Sequence, residues 1–172
     1  MTLELPAGVR VREPREDDHG RVLAVLDLWW GGLKGASGAW ERRLLLPRFL
    51  FQHFTPSSRL VEADDGTLLA FLIGFLSQTD PASAYIHFVG VAPSARRAGL
   101  GSWLYQDFFT RAASHGRRWI HAITSPENAR SIAFHTSLGF TIAPGGSAVD
   151  GIPAHPDYDG PGLPRVVFRK AS

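Results

Sequence analysis

The stretch that decides the fold is Val89-Gly90-Val91-Ala92-Pro93-Ser94-Ala95-Arg96-Arg97-Ala98-Gly99-Leu100-Gly101. Two periodicities meet there. Before it, Ala84 to Ala92 is β-branched and aromatic, reads as a strand and is closed by Pro93. After it, Leu100, Trp103, Leu104, Phe108 and Ala112 form an apolar stripe at helical spacing that ends near Gly116. Gly99 and Gly101 let the backbone come close to a ligand, and the helix starting there offers unpaired N–H groups and the positive end of its dipole. Arg96 and Arg97 add cationic charge that suits a pyrophosphate. The same glycines would also serve a plain tight turn, so the loop alone leaves an anion cradle and an ordinary connection both open.

Working outward toward the N-terminus, the segment Arg59 to Gln78 holds two apolar runs around Asp65-Gly66, a dipeptide that tolerates a tight hairpin turn, and reads as two antiparallel strands. Val9 to Glu13 alternates like a half-buried strand, and Pro14 with Glu16, Asp17 and Asp18 supplies helix-start chemistry. Val22, Val25, Leu26 and Trp29 then fall on one helical stripe, broken by Gly31, Gly32 and Gly35. A second helix is expected over Arg43 to Phe54, with Pro47 either starting its regular part or kinking it. Toward the C-terminus, Arg118 to Ser125 reads as a strand, and Pro126 precedes a short helix ending at Leu138-Gly139. Ala143 to Pro164 is dense in Gly, Pro and Asp and reads as a long irregular segment, functional or mobile. Leu163 to Lys170 closes the chain as a strand. Strands alternating with helices in this order predict a mixed sheet with helices on its faces.

A chain of 172 residues predicts one domain, 1–172. With 44% hydrophobic and 20% charged residues, it falls outside the disordered and collagen-like classes. No cysteine is present, which rules out disulfides, a thiol nucleophile, iron–sulfur sites and zinc ribbons. Eighteen Lys and Arg against 16 Asp and Glu leave a net charge of +2, too little to hold a polyanion, so no nucleic-acid partner is expected. The opening MTLELPAGVR lacks the layout of a signal peptide and the apolar run Leu68 to Leu76 is too short to span a bilayer, so a cytoplasmic location without a membrane partner is expected. The seven histidines show no metal-ligand spacing, and no metal is expected.

Arg96-x-x-Gly99-x-Gly101, preceded by Val-x-Pro, resembles the acetyl-CoA signature (Q/R)-x-x-G-x-(G/A) of the Gcn5-related N-acetyltransferase (GNAT) superfamily. Asn128 to Phe140 resembles that superfamily's later segment, N-x-x-A-x-x-F-Y-x-x-x-G-F, and the inferred element order follows the same fold over most of residues 9 to 170. The resemblance implies an α/β (α+β) fold: a mostly antiparallel twisted sheet of about six to seven strands, about four flanking helices, and a splay between the fourth and fifth strands. It also implies acetyl-CoA as co-substrate and an amine acceptor, with no metal; dimers are common in that superfamily, so a homodimer is among the arrangements it implies. Val89 and Val91 would pair with the pantetheine arm as an added strand would. The N–H groups of Arg96, Arg97, Ala98, Gly99, Leu100, Gly101 and Ser102 would hold the pyrophosphate, and Asn128 would bond the pantetheine chain. Asn128, Ser131 and His135 stand at i, i+3 and i+7, so one helical face can present all three toward one ligand.

Direct aminolysis of a thioester needs a neutral amine, a polarised carbonyl and often a proton for the departing thiolate, but no enzyme nucleophile. By the resemblance, the Val89 N–H polarises the carbonyl. The tyrosine usual near the CoA sulfur is replaced by His135, which either donates that proton or only packs and binds CoA. Tyr85 and His87 share strand parity with Val89 and Val91 and could face the arriving amine, His87 as base or as a histidine packed in the sheet; His121 is a weaker candidate. Trp30 and Trp40 are candidates for an acceptor pocket, and Asp150, Asp157, Tyr158 and Asp159 for its cover. The expected activity is N-acetylation of a small molecule or protein amine. The alternatives are a non-catalytic CoA-binding sensor or interaction module, and an acyltransferase using a longer acyl-CoA.

Overall fold

The computed structural model describes residues 4–172. In chain order the elements are β1 (Val9–Arg12), α1 (Asp18–Trp29), α2 (Gly35–Leu44), α3 (Phe49–His53), β2 (Arg59–Ala63), β3 (Leu68–Leu76), β4 (Ser83–Val91), α4 (Leu100–Ser114), β5 (Trp119–Thr124), α5 (Ala129–Ser137), β6 (Thr141–Ile142), β7 (Ser147–Val149), β8 (Ile152–Ala154) and β9 (Val166–Ala171). Seven strands form one sheet in the order β1-β2-β3-β4-β5-β9-β6, and β7 and β8 form a separate hairpin. The pairs β1–β2, β2–β3, β5–β9 and β9–β6 are antiparallel, while β4–β5 is parallel. The mixed, mostly antiparallel sheet expected from the sequence is therefore present, flanked by four helices of nine or more residues and the five-residue α3.

The chain forms two compact units. The first takes the described residues up to Phe75 together with Ile86–Arg111. Its core joins the stripe Val22, Leu26 and Trp29 of α1 to Leu46, Leu50, Phe51, Leu60, Leu68, Phe71, Ile73 and Ala92. The β2–β3 turn forms at Asp65-Gly66 as expected: Ala63 N–H donates to the Thr67 carbonyl and Thr67 N–H to the Asp65 carboxylate. Beneath β1 and β2 lies a network invisible in the local sequence. Arg12 donates to both Asp18 and Glu62 at 2.7–2.9 Å, and Arg21 bridges the same two carboxylates at 2.7 Å.

The helix expected over Arg43 to Phe54 is divided differently. α2 begins earlier, at Gly35, and Pro47 precedes the short α3, so the proline starts the regular part instead of kinking a longer helix. The close packing of α2 explains the shift: a Cβ at Gly38 would lie 2.3 Å from the Leu33 carbonyl oxygen, so this glycine belongs to a helix pressed against the preceding turn.

The second unit holds Leu76–Tyr85 and Ala112–Ser172. β5 and β9 pair from Trp119↔Ala171 to Thr124↔Val166, and β6 adds to β9 through Thr141↔Arg169 and Ile142↔Phe168. Ile120, Ala122, Phe140, Ala154, Val166 and Phe168 are buried. The segment Ala143 to Pro164 is not structureless as expected, because β7 and β8 close a hairpin over Asp150-Gly151 and His155 bridges to Arg165.

Candidate functional site

In the first unit the site elements are the C-terminal half of β4, the loop 92–99 and the start of α4. The parallel ladder between β4 and β5 consists of Ser83↔Trp119, Ala84↔Ile120 and Tyr85↔His121 and ends there, although β4 runs on to Val91. This is the splay expected between the fourth and fifth strands. Within β4, Val89 and Val91 are half-buried while Gly90 is buried. A Cβ at Gly90 would meet Phe71 Cε1 at 2.5 Å and Trp30 Cη2 at 3.0 Å, so rings packed on this strand leave room for hydrogen only. Sequence reasoning missed the role of Gly90; a lone glycine in a β-branched strand was the available signal.

The loop turns through two left-handed residues, Arg97 at φ 73° and Gly99 at φ 78°, both exposed. Left-handed steps of this kind fold successive N–H groups into a concavity suited to anions. Trp103 N–H donates to the Gly99 carbonyl at 2.9 Å and closes the first turn of α4. The N–H groups of Leu100, Gly101 and Ser102 precede that bond and have no intrahelical acceptor. This backbone fits a phosphate group. Arg96 is placed otherwise than its charge suggested: its Nη2 donates to the Trp29 carbonyl at the end of α1, and its own N–H donates to Pro93. Of the loop arginines, Arg97 is the exposed one.

His87, half-buried on β4, donates from Nε2 to the Leu45 carbonyl at the C-cap of α2. A carbonyl can only accept, so Nε2 carries the proton and, in the neutral ring, Nδ1 keeps the lone pair. Trp30 packs on Phe88 with ring centroids 5.3 Å apart. Trp40 is 65% exposed on α2.

In the second unit, Asn128, Ser131 and His135 are linked to one another along α5 by hydrogen bonds. Asn128 caps α5, its Oδ1 accepting the Ser131 N–H at 3.1 Å. The Ser131 carbonyl accepts from His135 Nδ1 at 2.8 Å. With its Oδ1 engaged at the cap, Asn128 keeps both NH₂ donors for a ligand. His135 is buried, and burial pushes its pKa below the usual histidine value, opposed by the bond to Ser131. Tyr85 has its phenol pushed upward, first by burial and then by Tyr158 and Asp159, with Arg165 opposing. Asp159 is itself held by Arg165 at 2.6 Å. His121 Nε2 lies 3.2 Å from Ser83 Oγ, and burial lowers its pKa. Among the described residues no helix is long and apolar enough to cross a membrane, and no group of three or more His, Asp or Glu side chains could hold a metal ion.

A sheet whose parallel β4–β5 pair gives out midway along β4, with β4 running on into a glycine loop that opens a helix, is the arrangement that the resemblance of the two motifs implies. Residues 22–140 match the family model described as Acetyltransferase (GNAT) family, and the chain belongs to that family. It is similar to the L-2,4-diaminobutyric acid acetyltransferase of Nocardia farcinica (strain IFM 10152), with 32% identity over 83 residues covering 48% of this chain and 43% of that protein. It is also similar to the mycothiol acetyltransferase of Frankia casuarinae, with 28% identity over 145 residues covering 79% of this chain and 42% of that protein. The matches thus span less than half the length of these curated relatives. Among solved structures, Ard1 from Thermoplasma volcanium superposes with a TM-score of 0.70 at 18% identity, covering 96% of this chain and 98% of that one. A phosphinothricin acetyltransferase from Sinorhizobium meliloti in complex with AcCoA gives 0.63 at 17% identity, covering 95% and 88%. These structures share the fold.

Proposed function

We propose that the protein is an acetyl-CoA-dependent N-acetyltransferase that passes the acetyl group directly to the amine of a small molecule or protein, with 1–172 acting as one domain. The observation that carries this reading is the left-handed backbone at Arg97 and Gly99 directly ahead of the open N–H groups of α4. That geometry is a receptor for a pyrophosphate, and the continuation of β4 beyond its ladder with β5 leaves a strand able to pair with an extended arm.

The amine nitrogen attacks the thioester carbonyl carbon, and the Val89 N–H donates to the oxygen on which charge develops. His87 takes the amine proton on Nδ1. As it becomes an imidazolium, its Nε2–H still points to the Leu45 carbonyl at the negative end of the α2 dipole, which favours the cation. The carbon–sulfur bond then breaks. A thiol has a pKa of roughly 8.5, so the thiolate can take a proton from water or the site without a strong acid. Tyr85 stays a phenol and offers a hydrogen-bond donor, not a base. We assign Asn128 to the pantetheine chain through its NH₂, and His135 to packing beneath α5 in place of proton donation.

Thiol release from acetyl-CoA across a panel of amines tests the reading. Amine-dependent release supports it; tight CoA binding with no amine-dependent release would instead make the protein a binding module. Faster release with a longer acyl-CoA would reassign the donor.

A further inference from the structure

Two side chains near the proposed chemistry are tied to the main chain of the helical hairpin α1–α2. Arg96 donates to the carbonyl of Trp29, the last residue of α1, and His87 donates to the carbonyl of Leu45, the C-cap of α2. Carbonyls at a helix C-terminus lack intrahelical partners and carry the negative end of the dipole, so a guanidinium there is matched in both hydrogen bonding and charge. α1 has no basic residue in its own last turn. Its terminal cation comes from a residue 67 positions away, at the head of the anion loop.

The turn that leaves α1 is exposed and glycine-rich: Gly31 and Gly32 turn with positive φ, Lys34 is left-handed, and residues 31–37 are exposed, with Leu33 N–H bonded to the Trp30 carbonyl, Gly35 N–H to the Gly32 carbonyl and Arg42 to the Leu33 carbonyl. The bond from Arg96 fixes where this turn begins. Arg96 is itself one residue before the left-handed step at Arg97, so whatever fixes the loop backbone also fixes the root of the Arg96 side chain.

We propose that Arg96 is a positioning residue that couples occupancy of the anion loop to the ordering of the α1–α2 hairpin, a proposal that rests on reading this loop as a pyrophosphate site. An anion bound on the N–H groups after Arg96 restricts the loop, the restricted loop holds the guanidinium on the Trp29 carbonyl, and residues 30–45 lose alternative positions. By linkage, anything that orders the hairpin tightens anion binding by the same factor. A cap that served stability alone would hold α1 equally with the loop empty or filled.

Amide hydrogen exchange with and without saturating coenzyme A tests this on wild type, Arg96→Met and Arg96→Lys. In wild type, CoA slows exchange in the loop 93–103 and also in residues 30–45, the latter by at least about fivefold. In Arg96→Met, saturated at its own affinity, protection is confined to the loop; Arg96→Lys, which keeps a cation and a donor, restores part of the hairpin effect. Protection of 30–45 that is equal in wild type and Arg96→Met overturns the proposal. So does wild-type protection limited to the loop, a result that needs no variant to fold. Absence of any loop protection by CoA sinks the pyrophosphate reading instead, so the two failures are distinguishable.

Discussion

The imidazole of His135 lies flat on the ring of Phe168, with centroids 4.4 Å apart and planes within 5°. Phe140 meets the same imidazole nearly edge-on at 5.2 Å. Because Nδ1 donates to the Ser131 carbonyl, the neutral ring has its lone pair on Nε2 and cannot give a proton there. His135→Phe is expected to keep the stack and to leave turnover within about threefold of wild type, whereas His135→Ala opens a cavity and costs about 2–3 kcal/mol. The lowered pKa has a definite sign. Below the ordinary value of 6.5 the unfolded chain takes a proton that the folded ring refuses, so stability falls as pH drops from there. Denaturant titrations from about pH 5 to 8 should show that slope in wild type and a shallower one in His135→Phe, where His121, also lowered by burial, still contributes. A large drop in turnover in His135→Phe would restore the proton-donor role.

His87 donates from Nε2 to the Leu45 carbonyl, and the base role proposed for it falls to Nδ1. His87→Gln should lower kcat by about 100-fold and flatten the acidic limb of the rate profile, while CoA affinity stays unchanged. The check is kcat against pH beside a CoA binding isotherm. An unaltered profile would mean that the histidine only joins β4 to α2.

The two histidines differ in how far the sequence could carry them. Alternation exposed β1, a continuous apolar run exposed β3, β-branched and aromatic residues exposed β4, and Asp65-Gly66 marked a hairpin, because these signals are local and strong. The same dipeptide at Asp150-Gly151 was unreadable as a turn because the strands beside it are three residues long and one contains Pro153. α2 hid behind Gly35 and Gly38, residues that disfavour a helix unless tertiary packing requires them. At the candidate site, the glycine loop opening α4 and the placing of Asn128, Ser131 and His135 on one helix were legible from local spacing. The destinations of the Arg96 and His87 side chains were not, since their partners lie 67 and 42 positions away and are backbone carbonyls that carry no sequence signature.

The network beneath β1 supplies a prediction about acid stability. Burial alone would raise the Asp18 carboxyl, but hydrogen bonds from Arg12, the Arg15 N–H and Arg21 outweigh it and hold the pKa at about 2. Glu62 is also lowered, chiefly by its hydrogen bond from Arg12. Carboxyls depressed in the folded state stabilise it above their unfolded pKa, and that stability is lost as pH falls from the Asp value of 3.8 toward 2. Asp18→Asn should cost about 2–3 kcal/mol at neutral pH, less than a fully buried pair would, since Arg12 and Arg21 keep contact with water. The variant should also have a shallower stability slope below about pH 4. Chemical denaturation at neutral and acidic pH measures both. A wild-type slope retained in Asp18→Asn would assign the acid sensitivity elsewhere.

Gly90 offers a test of how the core shapes the strand proposed to meet the thioester. A methyl at this position would lie 2.5 Å from Cε1 and 2.8 Å from Cζ of Phe71. Phe71 has little freedom to retreat: it is fully buried, stacked on Trp29 at 5.7 Å and on Phe88 at 6.0 Å. Gly90→Ala should therefore overpack the core by about 1–3 kcal/mol, which lowers Tm by about 3–10 °C for a chain of this length. The strain would displace β4, and with it the N–H of Val89, so kcat should fall together with stability. Gly90→Ala combined with Phe71→Leu relieves the clash and should recover part of both losses, giving a coupling between the two sites that separate effects would not show. Additive losses in the double variant would mean that β4 moves independently of the ring and that the Gly90 contact does not set the position of Val89.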